Sequence, residues 1–167
     1  GQYPQALEQY QQALAITREI GDRAVEGSTL VNIGSVYRSQ GQYPQALEQF
    51  QQALVITREI GDRAGEGATL NNMGFAQLLS GQFAIATQTL FSAIEVKDSL
   101  RDPALSDANN RSLFSIQTSP YDFLQQALIA QNKTNTALEV SERGRARARV
   151  SDRCFCPHPG TDQTNFP

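Results

Sequence analysis

GQYPQALEQFQQALVITREIGDRA, residues 41–64, repeats almost letter for letter what the chain has already spelled at residues 1–24. Set against each other at a spacing of forty, residues 1–40 and 41–80 share 28 identities. A period of this size marks an array of small units, each stacking on its neighbours to bury a face it cannot bury alone. Such an array offers a long surface rather than an enclosed cavity. Binding is therefore the expectation ahead of catalysis.

Within the stretch, Tyr43, Ala46, Leu47, Phe50, Ala53, Leu54 and either Val55 or Ile56 recur at three- and four-residue steps. That is one apolar stripe on a helix. Gly41 and Gln42 form the turn before it, and Pro44 suits a first helical turn, where its missing N–H costs nothing. Gly61 stands where a left-handed cap closes the helix, and Asp62 can cap the next one. The next helix carries Leu70, Met73 and Gly74, matched earlier by Leu30, Ile33, Gly34 and Tyr37. A glycine inside a helix costs ~1 kcal/mol against alanine, so it marks a close helix–helix approach. The unit is a helical hairpin, and no strand is indicated. The spacing predicts helices at about 4–20, 24–40, 44–60, 64–80, 84–100, 104–118, 120–131 and 134–149. An array over 1–150 is then followed by an irregular tail, 151–167.

Leu30, Ile33, Gly34, Tyr37, Gly41, Tyr43, Ala46, Phe50 and Ala53 together resemble the tetratricopeptide repeat signature. Leu70, Met73, Gly74, Gly81, Phe83, Ala86, Leu90 and Ala93 repeat it, with Gln77 where an aromatic is usual. The forty-residue period and ITREIGDRAGEGATLNNMG resemble the longer variety found in Pins/LGN-type adaptors and kinesin light chains. The resemblance implies an all-α fold, an α-α superhelix of antiparallel hairpins. It covers roughly residues 1–100. From Asp102 the pattern loosens and returns late, at Leu124, Ala127, Ala130, the Asn132–Lys133 turn, Ala137, Ser141 and Gly144, with a bend or restart at Pro120. YDFLQQALIAQNKTNTALEVSERGRARA (121–148) resembles the end of the array in bacterial, particularly cyanobacterial, proteins that continue into a caspase-like CHAT domain.

The expected continuation is missing. After Ala148 the chain reads RVSDRCFCPHPGTDQTNFP, with three prolines and no helical period. A truncated or frameshifted reading frame is the favoured explanation, a genuine short tail the alternative. The chain also lacks an initiator Met and opens inside a repeat, which reads as a fragment.

Composition narrows the classes further. A net charge of −3 and a pI near 5.1 give no overall basic field for nucleic acid. No apolar run approaches the ~18 residues that span a bilayer, and no secretory leader is visible. Two cysteines close together make no disulfide framework, which leaves a reducing cytoplasm as the default location. Cys154, Cys156 and His158 invite a metal, but Cys-x-Cys is tighter than the usual zinc spacing and a fourth ligand is wanting. They read as an incidental tail. No phosphate loop or His–acid pair suggests catalysis, and no cofactor is expected.

Partner-binding residues are expected on the concave face, lined by the first helix of each hairpin. These are Val31, Asn32, Ser35 and Arg38, then Asn71, Asn72, Phe75 and Leu78. By resemblance to Pins/LGN-like arrays, Asn32 and Asn72 contact the partner backbone, an amide offering donors and an acceptor together. The alternative is a solvated Asn on a helix face. Phe75, Leu78 and Leu79 replace Ser35, Arg38 and Ser39, either forming an apolar patch for a partner or packing the helix at 104–118. Arg143, Arg145, Arg147 and Arg149 scatter around a helix and pair with Glu139 and Glu142, or face a lost neighbouring domain. The Glu–Arg and Asp–Arg neighbours of TREIGDRA read as surface ion pairs worth ~0–1 kcal/mol.

The leading expectation is a scaffold for a protein or peptide partner, part of the array of a TPR–CHAT protein. One rival is a fragment of a CHAT protease whose catalytic domain is missing. The other is a structural or self-association spacer. Fraying of helix 4–20, whose stripe is half uncovered, and disorder after residue 150 are also expected.

Overall fold

The computed structural model describes residues 3–100 and 120–152, with side chains described as far as residue 145. Five helices follow one another at a twenty-residue rhythm: α1 (Tyr3–Ile20), α2 (Arg23–Ser39), α3 (Tyr43–Glu59), α4 (Arg63–Leu79) and α5 (Phe83–Ser99). Two more are α6 (Pro120–Ala130) and α7 (Thr134–Asp152). Among the described residues there is no strand. The helix expected at 104–118 and the tail after 152 lie outside the described residues. Pro120 is the first described residue of α6.

The turns between helices are built alike. At the end of α2, Gly41 takes φ +73° and its N–H donates to the Arg38 carbonyl at 3.0 Å. Gln42 N–H reaches back to the Tyr37 carbonyl at 2.9 Å. This pair of bonds satisfies carbonyls that the helix end leaves open. Gly21, Gly61 and Gly81 share the conformation, and Asn132 adopts it between α6 and α7 at φ +58°. Asp22 and Asp62 then cap α2 and α4, accepting from the N–H of Val25 at 3.0 Å and Gly65 at 2.8 Å.

Packing follows the apolar stripes. Ala46, Phe50, Ala53, Leu54 and Ile56 of α3 are buried against Leu30 of α2 and Leu70 and Met73 of α4, and Ile33 of α2 is buried too. Of the two alternatives left by the sequence, Ile56 turns inward and Val55 is 56% exposed. A Cβ on Gly34 would come within 2.6 Å of the Phe50 ring, and one on Gly74 within 2.5 Å of Leu90. These two glycines are the close approaches anticipated above. Consecutive hairpins are joined so that α2 touches α4 and α4 touches α6. No comparable contact joins α1 to α3 or α3 to α5. The even-numbered helices therefore form the tighter, inner layer of a curved stack.

The ion pairs of the TREIGDRA segment differ from expectation. Glu26 and Glu66 are themselves buried, at 5% and 4% exposure, and each is gripped by two arginines. Arg18 Nε donates to Glu26 at 2.9 Å and Arg23 Nη1 at 2.5 Å. Arg58 Nε donates to Glu66 at 2.8 Å, and Arg63 supplies the second grip. A buried carboxylate needs this pairing, since an unpaired one is costly. The Arg18 hydrogen bond, helped by Arg23, holds the Glu26 carboxyl below the usual glutamate range despite its burial. The reason the sequence misled is spatial: the arginines flank the turn, while the carboxylate lies one helical turn inside the next helix.

A candidate partner-binding face on the inner helices

The eight residues anticipated for binding sit on α2 and α4, but they are not equally available. Asn32 is exposed. Val31, Ser35, Arg38, Asn72, Phe75 and Leu78 are half-buried. Asn71 is buried at 6% exposure, so it belongs to the interior of the stack and not to an open face. Val31 likewise leans on the core beside Leu30 and Ile56.

Three of the eight come together across the repeat boundary. Arg38 Nη1 donates to Asn72 Oδ1 at 2.8 Å, and its guanidinium carbon lies 5.0 Å from the centre of the Phe75 ring. Phe75 in turn stacks on Phe123 of α6, with centroids 4.2 Å apart and planes 11° from parallel. A column of Arg38, Phe75 and Phe123 thus links α2, α4 and α6. Cation–π and stacked-ring contacts of this kind each add about 0.5–1.5 kcal/mol beyond simple burial. Burial lowers the Arg38 pKa from its ordinary value, yet an arginine remains charged throughout the physiological range.

The column bears on the two readings of the apolar replacements. Phe75 and Leu78 pack into a cluster with Leu90, Ile94, Phe123, Leu124 and Leu128, so they serve cohesion of the stack. Their cover includes α6; the anticipated segment 104–118 lies outside the described residues. Leu79 alone stays out, at 46% exposure. Asn72, half-buried and already accepting from Arg38, keeps its Nδ2 donors for other company. Among the described residues Asn32 has no such arginine partner. The two asparagines share a register and differ in surroundings.

Further polar contacts went unread in the sequence. Gln131 Nε2 donates to the Phe83 carbonyl at 3.0 Å and Thr87 Oγ1 at 2.8 Å, fastening the end of α6 to the start of α5. Gln77, at the usual aromatic position, is buried with Oε1 lacking a hydrogen-bond partner among the described residues. Arg145 pairs with Glu142 at 2.6 Å, as its sequence neighbourhood suggested. The side chains of Arg147 and Arg149, and Cys154, Cys156 and His158, lie outside the described residues. Among those described, no cluster of three or more metal-ligating side chains occurs, and no helix is long and apolar enough to cross a membrane.

Comparisons with known proteins agree with this architecture. Residues 1–59 and 25–99 match the family model described as tetratricopeptide repeat. No curated protein matches the chain. Among solved structures, BtubC (BKLC) from P. vanneervenii is similar over 100% of this chain, with a TM-score of 0.76 and 17% identity. The chain spans 64% of that protein's length. A putative kinesin light chain from Podosopora anserina with nearly identical TPR-like repeats is similar over 92% of this chain and 70% of its own. Its TM-score is 0.66 at 18% identity, and a point variant of the same protein gives 0.67 at 20%. At such identities the likeness concerns the fold.

Proposed function

The chain belongs to the tetratricopeptide repeat family, and from that premise we propose that it is a protein-interaction scaffold whose inner helices hold an extended peptide or protein segment. The observation that carries this reading is the layer formed by α2, α4 and α6, with Asn32 exposed on it and Arg38 and Asn72 locked together beside it. Side chains fixed in advance by stacking lose little freedom on binding, so their hydrogen bonds translate into affinity. Asn32 and the Nδ2 donors of Asn72 meet partner backbone, and Arg38 adds directional donors. The reading includes no catalytic step, cofactor, nucleic acid or membrane, and a cytoplasmic setting.

The SERGRARA ending supports a place in a bacterial TPR–CHAT protein, where the array would sense a partner and present the protease-like domain. That assignment rests on the resemblance of residues 121–148 alone. Recovery of the neighbouring coding sequence tests it: a caspase-like His and Cys downstream would support it, and an unrelated domain or a true stop would contradict it.

Binding itself is tested with a peptide selected from a random library against the folded chain. Replacing Asn32 and Asn72 together by Ala should weaken the peptide about tenfold or more, at ~1 kcal/mol per hydrogen bond lost. Helicity should not change. Unaltered affinity would remove the asparagines from the site. The spacer alternative finds support in α1, where Ile16 and Ile20 are 58% and 69% exposed. Concentration-dependent light scattering with no peptide retained on the inner face would favour it.

A further inference from the structure

The repeat register lines up Glu19, Glu59 and Ser99. Glu59 ends α3, and its Oε2 accepts from Arg23 Nη2 at 2.5 Å, tying the start of α2 to the end of α3. One repeat later, Arg63 occupies the place of Arg23 and Ser99, ending α5, the place of Glu59. Arg63 keeps its grip on Glu66 through Nη1. Among the described residues its Nη2 meets the Ser99 hydroxyl alone, at 3.5 Å. The same guanidinium is thus aimed at the same position, where the acid has been exchanged for a hydroxyl.

We propose that Ser99 is a phosphorylation site and that Arg63 holds the phosphate. The fit is one of bond count. From Cα, a glutamate oxygen is reached through Cβ, Cγ and Cδ, and a phosphoserine oxygen through Cβ, Oγ and phosphorus. Phosphate oxygens on Ser99 therefore stand where the carboxylate oxygens of Glu59 stand. A guanidinium prefers the doubly charged, multidentate group. Negative charge at the last residue of a helix opposes the helix dipole, but Glu59 is accommodated there by Arg23, and Arg63 offers the same relief. Asp98, adjacent in sequence, does not share a helix face with Ser99.

Ser99 is exposed, so a kinase can reach it once its Oγ releases the Val96 carbonyl, to which it donates at 2.6 Å. In the transfer, Oγ attacks the γ-phosphorus of a nucleoside triphosphate. The O–P bond forms, the bond to the diphosphate breaks, the hydroxyl proton passes to the kinase's base, and nucleoside diphosphate leaves. The new ion pair closes α4 against α5 as Glu59 closes α2 against α3. Regulation would lie in this latch, independent of what binds the inner helices.

The test begins with the full chain carrying phosphoserine installed at position 99 by genetic encoding, titrated by phosphorus NMR. The second ionisation should fall below the ~6 of an unpaired phosphoserine by about half a unit, threefold in proton affinity, and recover with Arg63→Gln. An ordinary value that Arg63→Gln does not move would overturn the proposal. Because Arg63→Gln also disturbs Glu66, a thermal double-mutant cycle accompanies it. Ser99→Glu should raise the midpoint with Arg63 present and lower it when Arg63 is replaced; lowering it in both would count against the latch. Mass spectrometry of the chain recovered from its own cells under phosphatase inhibition should find phosphate on Ser99, and an exclusively unmodified peptide would overturn the site.

Discussion

Residues 3–19 and 43–59 differ at two positions, Tyr10/Phe50 and Ala15/Val55, and the fold treats them quite differently. In α3, Phe50 is wholly buried and Ile56 is 3% exposed. In α1, Tyr10 is half-buried and Ile16 is 58% exposed. The helices themselves are alike, so local sequence sets the helix and neighbours set the burial. α3 lies between α2 and α4, whereas among the described residues α1 packs mainly on α2. The cover that α1 lacks is a helix like α2, whose Gly27 and Gly34 face Ile56 and Phe50. Stability in such an array is a sum of units and interfaces, and one sequence can be worth different amounts in two places.

The largest break in this comparison should come from truncating the equivalent aromatics. Phe50→Ala should cost about 3–5 kcal/mol, the range for emptying a closed core site. Tyr10→Ala should cost about 1–2 kcal/mol, since that side chain is already partly exposed to solvent. Urea denaturation measures both, and equal costs would contradict the role assigned to neighbours.

A smaller effect is expected at the glycine that receives Phe50. Gly34→Ala should destabilise by about 1–3 kcal/mol, because its Cβ is forced onto the ring and the gain in helix propensity only partly offsets this. Gly67→Ala is the control. Its Cβ meets Val96 at 3.3 Å, so a slight adjustment suffices and the thermal midpoint should barely move.

The most modest prediction concerns the link from α1 to α2. Glu26 titrates below its ordinary value when folded, through Arg18 first and Arg23 second. Its contribution is therefore present above the unfolded glutamate value of ~4.3 and is lost as pH falls through the lower folded value. Thermal midpoints between about pH 3 and pH 7 should drop on the acid side. Glu26→Gln should flatten that slope while lowering the midpoint at neutral pH. An unchanged slope would mean that the two arginines do not favour the ionised form.

Much of this fold was legible in residues that recur. The turn glycines, Asp22 and Asp62, the stripe through Phe50 and the glycines at 34 and 74 are local or periodic signals, and each sits at a turn, a cap or a helix contact. The candidate face was less legible. Arg38, Asn72, Phe75 and Phe123 are brought together over long sequence separations, and all but Asn72 lie where the two copies depart from each other or beyond them. Periodicity marks such positions as different without saying what they meet. Phe75 and Leu78 suited a partner or a neighbouring helix, and their packing against the non-repeating α6 could not be read from the period. The Glu26 and Glu66 grips were hidden for a related reason, since charge near a turn reads as solvated until the next helix is laid against it.

Two parts of the molecule now compete as the place a partner would choose: the open apolar flank of α1 and the fixed polar side chains of α2 and α4. Amide hydrogen exchange on the chain with and without a library-selected peptide separates them directly. Protection gathered around Asn32, Arg38 and Asn72 is the predicted result. Protection confined to α1 around Tyr10 and Ile16, with α2 and α4 unchanged, would contradict the inner face as the binding surface.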